Sequence, residues 1–480
     1  MNKKIFALTA LLFLITCISA VNAEDIDQTN DTLEIDDSDI LSAAKTGTFS
    51  DLADDITASI SESRLNIEKD YKFNNETDKG LIGGITLTFD VSGDYIIEGN
   101  NHVIDANRQA GIFKFNNGNV HINNLKFINS ARTSIILTNC KLYTNNVTFE
   151  NNYDPGDAGA VYAETSVYYS KHDKFINNYA KNGASIQAIE STLEIDNSTF
   201  ISDKEIGWGL IYTYDTKTSI KNTVFANMTS KYATAIYCEK NSLEISNSKF
   251  INLFAQNTAG AIGLKETHFA TIDNCSFINT SSTKNGGAIF ADIDETTKLI
   301  LKGVLVKNSL FENCSSEFGG AYLQLGGYAS IMDTDFISNS AKYSGGAIYL
   351  SATDSLMGNL KLDSNGAEHY NGGALFIDNS ALRISSSNIT NNVARGLGSG
   401  IYLYDSKYNI KDSYFADNNN QVIVSYFDKE NSTLTNNDLN GGETLLNQES
   451  YIRVVDYDGK QIILNPTKGN KHNKNNKNCS

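Results

Sequence analysis

The chain has 480 residues and a formal net charge of −17, from 39 basic and 56 acidic side chains. That balance argues against nucleic acid or an anionic membrane as the main partner. Only two prolines occur (Pro155 and Pro466), while 24 Tyr and 23 Phe supply enough apolar surface for a packed core, which excludes a disordered polymer.

The first element is an export signal. Lys3 and Lys4 precede the apolar run Ile5 to Ala20, and Val21-Asn22-Ala23 offers small residues for cleavage, so 1–23 reads as a signal peptide cut after Ala23. Cleavage removes two lysines, and −17 becomes about −19. No later stretch reaches the ~20 apolar residues of a membrane-spanning helix, so the expected location is secreted or cell-surface, without membrane insertion. Residues 24–47 form an acidic, weakly patterned leader. The segment "TFSDLADDITASI" then places Phe49, Leu52, Ile56 and Ile60 at helical spacing with Ser50 as N-cap, which predicts a capping helix and first strand over 48–65.

From there to residue 445 the chain repeats. Phe127, Phe149, Phe175, Phe200, Phe225, Phe250, Phe277, Phe311 and Phe336 are continued by Leu362, Ile389 and Phe415. After Phe149 the steps are 26, 25, 25, 25, 27, 34, 25, 26, 27 and 26 residues. A near-constant period of this length is the mark of stacked repeats. Each unit carries an alternating stretch such as "TLEIDN", a Phe-bearing stretch such as "SKFINL", and a Gly-led stretch such as "GGAIYL". All are four to six residues, β-branched or aromatic, and bounded by Asn, Ser and Gly, which are strand signals. Three strands per ~25 residues make one coil of a parallel β-helix, with equivalent strands ~4.8 Å apart. The predicted fold is therefore all-β, a solenoid of about a dozen coils over 66–445. In it the Phe residues stack in the core. The Asn two positions later (Asn151, Asn177, Asn227, Asn252, Asn279, Asn313) shares the Phe parity and falls where the strand turns, where stacked amides can hydrogen-bond up and down the column and satisfy the bend's polar backbone. The glycines allow a tight turn with positive φ.

One step is longer: "ADIDETTKLILKGVLVKNSLF" adds about nine residues, with Asp292, Asp294 and Glu295 at its tip. Beyond the repeats, 446–465 reads as closing strands, with a hairpin around Asp458-Gly459. The segment 466–480 reads as a basic polar tail.

The paired motif Phe-x-x-Asn and Gly-Gly-Ala-(Ile/Leu/Val) resembles the repeats of chlamydial polymorphic outer-membrane proteins. The layout, with "GDYIIEGNNHVIDANRQAGIFKFNNGNVHINNLKFINS" ahead of the repeats, is similar to adhesin-like proteins of methanogenic archaea. The resemblance spans about 48–440. It implies a right-handed, pectin-lyase-like β-helix and a cell-surface role.

Chemistry-bearing residues are sparse. Cys140, Cys238, Cys275, Cys314 and Cys479 are odd in number and widely spaced, so no disulfide scaffold is expected. The histidines (His102, His121, His172, His268, His369, His472) show no metal-ligand spacing, and no cofactor or metal is expected. Polysaccharide lyases on such a rod need a base beside an acidic Ca²⁺ cluster, and inverting hydrolases need two carboxylates ~6.5–9.5 Å apart. None of the six arginines lies near an evident acidic cluster, and Asp-Asp pairs occur only at Asp36-Asp37 and Asp54-Asp55. The reading is a monomeric, non-enzymatic adhesin-like protein holding extracellular glycans or another cell. The alternatives are a polysaccharide lyase or hydrolase, and a structural envelope spacer. The candidate ligand face is the outward column of the Gly-led strands: Tyr162, Tyr212, Tyr237, Phe290, Tyr349, Phe376 and Tyr402, with Trp208 beside it. Aromatic rings there can stack on sugar faces unless the Gly-rich turns fold over them. Asn197 and Asn274, in Asn-x-Ser/Thr triplets at turns, are candidate glycosylation sites.

Overall fold

The computed structural model describes residues 46–89, 93–293 and 302–448, together with the backbone of Arg453–Val455 and Gln461–Ile463. The signal peptide, most of the leader, Asp294 and Glu295, the Asp458-Gly459 turn and the tail lie outside the described residues.

The repeats form a parallel β-solenoid of about 14 turns, two more than the Phe spacing alone predicts. The extra coils carry Tyr71 and Ile104 where later coils carry Phe. At ~4.8 Å per rung the stack is about 60 Å long. One coil shows the plan: Val161–Glu164, Val167–Lys171 and Lys174–Ile176 are its Gly-led, alternating and Phe strands. Each pairs in parallel with its equivalent one coil on, as Phe175 does with Phe200.

The Phe column is the spine of the core. Phe127 to Phe336 stack ring on ring, with centroids 4.4 to 5.3 Å apart and planes within 18°. Every ring is fully buried. Burial is worth about 1.5–3 kcal/mol per ring, and each stacked pair adds about 0.5–1.5 kcal/mol.

The bends are where the structure departs from the sequence reading. Each strand ends in one left-handed residue: Thr165 (φ 49°), His172 (φ 55°) and Asn177 (φ 53°) in the same coil. This single residue resets the inside–outside alternation. The Asn two positions after Phe does not point inward. Asn227, Asn252, Asn279 and Asn313 have φ of 53–58° and are exposed. Asparagine suits the site because it tolerates the left-handed region. The inward asparagine comes one residue later: Asn152, Asn178, Asn339, Asn365 and Asn392 are almost wholly buried.

These inward side chains settle the backbone groups that the bend leaves without strand partners. The Asn339 N–H donates to Asn365 Oδ1 (3.0 Å), and the Asn365 N–H to Asn392 Oδ1 (2.9 Å). Hydroxyls do the same at the other bends: Ser166 N–H to Ser191 Oγ (3.0 Å), and Thr223 N–H to Ser248 Oγ (3.2 Å). Each rung is therefore completed by the rung after it.

One position in the hydroxyl column is a carboxyl. Asp173 is 1% exposed and accepts from Ser170 Oγ (2.6 Å), the Val147 N–H (2.7 Å) and Thr144 Oγ1. Burial pushes its pKa up to about 6, against the opposing pull of those hydrogen bonds. A carboxyl with a raised folded pKa favours the folded state while protonated, so stability falls as pH rises from about 4 through 6. The charged form costs about 3 kcal/mol at neutral pH. Asp173→Asn can keep the Val147 contact and turn its NH₂ to the hydroxyls. It is expected to raise stability at pH 7 by up to about 3 kcal/mol and to flatten the slope between pH 4 and 7 in urea titrations. Equal pH slopes in parent and variant would refute this account of Asp173.

The first coil is covered by the helix Phe49–Ser59. Its N-cap is Thr48, not Ser50: Thr48 Oγ1 accepts from the Asp51 N–H (3.1 Å), and Asp51 accepts from the Thr48 N–H (2.7 Å). Ser50 instead donates to Asp78 (2.6 Å), whose carboxylate also accepts the Phe49 and Ser50 N–H groups. Phe49, Leu52 and Ile56 are buried, with Phe49 edge-on to Phe73 at 5.3 Å. Ile60 falls in the following 3₁₀ turn and is 51% exposed, contrary to its expected core role. At the other end Arg453–Val455 and Gln461–Ile463 pair antiparallel. Among the described residues no helix is long and apolar enough to cross a membrane.

Candidate functional site

The Gly-led strands set the candidate face. Both glycines of the pair permit close approach of a carbonyl oxygen, and the first also turns the chain left-handed. The first glycine supplies the left-handed bend (Gly286 φ 63°, Gly319 φ 62°, Gly345 φ 70°). The second permits close approach, since a Cβ on Gly320 would lie 2.0 Å from the Gly346 carbonyl oxygen. After this bend the strand alternates as expected, with Ile348 and Leu350 buried inward and Tyr349 half-buried outward.

Register places the outward residues in one column: Tyr162, Gln187, Tyr212, Tyr237, Gly263, Phe290, Leu323, Tyr349, Phe376 and Tyr402. The structure breaks this column into two aromatic clusters. In the first, Tyr212 stacks on Tyr237 (5.8 Å), Trp208 meets Tyr237 edge-on (4.9 Å), and Trp208 lies flat on Tyr232 (4.2 Å). In the second, Tyr349, Phe376 and Tyr402 stack at 4.8 and 5.1 Å, and Phe318 meets Tyr349 edge-on (5.9 Å). Phe290 stands between them, next to Gly263 on one side and Leu323 on the other.

Exposure differs along the column. Tyr162, Tyr212, Tyr237, Phe290, Tyr349 and Trp208 are half-buried. Phe376 and Tyr402 are 9% and 1% exposed. Those two are covered by an outer apolar cluster with Val424, Tyr426 and Leu397. Stacking also limits what a ligand can reach. Rings lying parallel on consecutive rungs offer solvent their edges and hydroxyls, and a ring face is free only where a stack ends.

Polar groups edge the first cluster. Glu239 accepts from Lys265 Nζ at 2.9 Å and lies 3.5 Å from the Tyr212 hydroxyl. Burial, then the Glu239 charge, pushes the Tyr212 phenol up to about 12, so it acts as a neutral donor. Beside Tyr162, burial and the neighbouring Asp154 and Glu164 push the Asp157 carboxyl above its ordinary value. The four described cysteines are free and buried, and burial pushes the Cys140, Cys238 and Cys275 thiols up to about 11. Among the described residues no three acidic, His or Cys side chains are grouped to hold a metal ion.

Sequence reasoning missed several rings. Tyr232, Phe318, Tyr343 and Tyr370 lie one or two residues ahead of the Gly/Ala bend, as Trp208 does, and Tyr343 stacks on Tyr370 at 5.5 Å. A second outward stack, His121–Tyr143–Tyr169, runs along the alternating strands at 4.5 and 4.7 Å. Asn197 and Asn274 are both exposed at left-handed bends, and the Asn274 amide donates to Asn247 Oδ1 at 2.7 Å.

Stacked parallel strands with an inward Phe column define a parallel β-helix. Residues 234–439 match the family model described as the right handed beta helix region. By sequence, no curated protein matches the chain. Similar solved structures include the A-module of the mannuronan C-5 epimerase AlgE6 of Azotobacter vinelandii (10% identity, 77% of this chain and 92% of that one, TM-score 0.28). Others are the receptor-binding protein of bacteriophage Det7 (9%, 86% and 78%, TM-score 0.33) and PfbA, a surface adhesin of Streptococcus pneumoniae (10%, 81% and 93%, TM-score 0.27). At these identities and scores the likenesses carry no functional assignment to this chain.

Proposed function

We propose that this chain is an adhesin-like, non-enzymatic surface protein whose β-helix holds extracellular glycans or another cell along a lateral face. The observation that carries the reading is the cluster of half-exposed Trp208, Tyr212 and Tyr237, edged by the Glu239–Lys265 pair. Amphipathic rings with hydroxyl tips supply contact area at low entropic cost and hydrogen-bond polyols at their rim. Export by the 1–23 signal would place this face outside the cell, and carbohydrate at Asn197 or Asn274 would decorate the same rod.

The test is binding of the purified chain to polysaccharide-coated surfaces and to whole cells. Trp208→Ala with Tyr237→Ala is expected to weaken retention by about tenfold or more, the scale of an aromatic anchor. Undiminished binding by this double variant would remove the aromatic face from the account. A polysaccharide-cleaving reading draws on one observation, the acid-rich spot of Asp154, Asp157 and Glu164 beside Tyr162, where Asp157 holds its proton more tightly than an ordinary carboxyl. Loss of any cleavage activity in Asp157→Asn would support that alternative.

A further inference from the structure

Phe254 differs from the rings of the aromatic column. It is 40% exposed on the outer face of the Phe strands, and its rung neighbours are Thr229 and Ser281. No described aromatic ring stacks on it, so its faces are not taken up by other rings as those of Tyr237 are. Two residues before it, exposed Asn252 belongs to a ladder of outward amides. Asn252 Nδ2 donates to Asn227 Oδ1 (3.0 Å), and Asn279 Nδ2 donates to Asn252 Oδ1 (3.1 Å). Beside the ladder, Ile251 and Ile278 sit half-buried on consecutive rungs.

The chemistry of this strip selects its ligand. A primary amide has two N–H donors and two acceptor lone pairs. The ladder uses one donor and one acceptor of Asn252, which leaves one of each facing solvent. A sugar hydroxyl is likewise donor and acceptor, and a pyranose ring has an apolar C–H face that fits against an open phenyl ring. The six side chains are uncharged, and the charged residues that continue their columns, Glu205 and Glu312, are acidic like the chain of net charge −17, which disfavours an anionic partner against a neutral one. The amides recur once per rung, ~4.8 Å apart along the axis, so a linear polymer lying along the rod meets the same contact repeatedly.

We propose that Phe254 and the Asn227–Asn252–Asn279 ladder form a binding site for an unbranched neutral polysaccharide, in a strand column three residues along from that of Trp208 and Tyr232. This rests on the reading of the rod as a glycan-holding protein. The experiment is affinity electrophoresis of the full chain through gels containing hydroxyethylcellulose, glucomannan or, as an acidic comparison, alginate. A neutral polymer is expected to retard the parent. Phe254→Ala is expected to weaken retardation about tenfold, and Asn252→Gly severalfold, since glycine keeps the left-handed bend but removes the amide. Leu356→Ala, an exposed apolar truncation elsewhere, is expected to match the parent. Phe254→Ala binding as tightly as the parent overturns the site. If binding is lost only with Trp208→Ala and Tyr237→Ala, this site falls and the glycan reading stands. Retardation by no polymer overturns both. Concentration-dependent dimers abolished by Phe254→Ala, without retardation, assign the strip to a second copy and overturn the proposal.

Discussion

Phe250→Ala is expected to lower the unfolding free energy by about 3–5 kcal/mol, the range for emptying a buried phenylalanine site. Phe250 lies between Phe225 (5.0 Å) and Phe277 (4.6 Å) and is fully buried, so truncation removes two stacked contacts and opens a void the rigid rungs cannot close. Phe250→Leu is expected to cost less, about 1–3 kcal/mol for the two stacked pairs it loses. The stack already accepts aliphatics, since Leu362 and Ile389 occupy the same column on consecutive rungs. Urea denaturation of both variants decides it. Equal costs for Ala and Leu would mean that ring stacking, and not core volume, is what holds the coils together. Because each coil is completed by its neighbours, the loss should be felt on both sides of residue 250, with faster amide exchange in the flanking coils.

Gly320→Ala is expected to destabilise by about 3 kcal/mol or more, without touching the core. The new Cβ would lie 2.0 Å from the Gly346 carbonyl oxygen and 2.6 Å from that of Ser340. Neither can retreat cheaply. Gly320 N–H already donates to the Gly345 carbonyl (2.9 Å), and Gly346 N–H to that of Gly372 (3.0 Å), so the rungs are tied at this spacing. Two comparisons isolate the mechanism. Gly441→Ala, whose φ of 78° is left-handed but whose new Cβ would meet nothing within 4 Å, should cost about 1–2 kcal/mol. Gly366→Ala, whose nearest neighbour is the Val393 carbonyl oxygen at 3.8 Å, should be nearly silent. Thermal melts of the three variants should rank in that order. A silent Gly320→Ala would contradict the close approach.

The spine of the fold was legible because it obeys one rule. Phe at ~25-residue spacing needs only a parallel stack to make sense, and the alternating and Gly-led strands follow from period-two patterning. What patterning could not show is the left-handed residue at each bend, which breaks period two and moves the buried asparagine from 151 to 152 and from 177 to 178. Thr48 was missed as N-cap because Ser50 looks equally fit by residue type. Its hydroxyl is taken by Asp78, 28 residues away, which no local rule reveals. The candidate face was half legible. The outward phase of Tyr162, Tyr212, Tyr237 and Tyr349 followed from alternation, but the burial of Tyr402 depends on Val424, Tyr426 and Leu397 from other segments. The rings ahead of the glycines, Tyr232 and Phe318 among them, did carry a signal, an aromatic preceding the bend as in "KYATA" and "EFGGA". Trp208 alone was noticed, because tryptophan occurs once.

The central claim, that this rod holds glycans without cutting them, is tested most directly by size-exclusion chromatography. Uronic-acid and neutral polysaccharides would be run before and after incubation with residues 24–480. The account predicts that at least one polymer keeps its size and carries the protein into its own peak. Conversion of any polymer to small fragments would contradict it and make the chain a polysaccharide-cleaving enzyme.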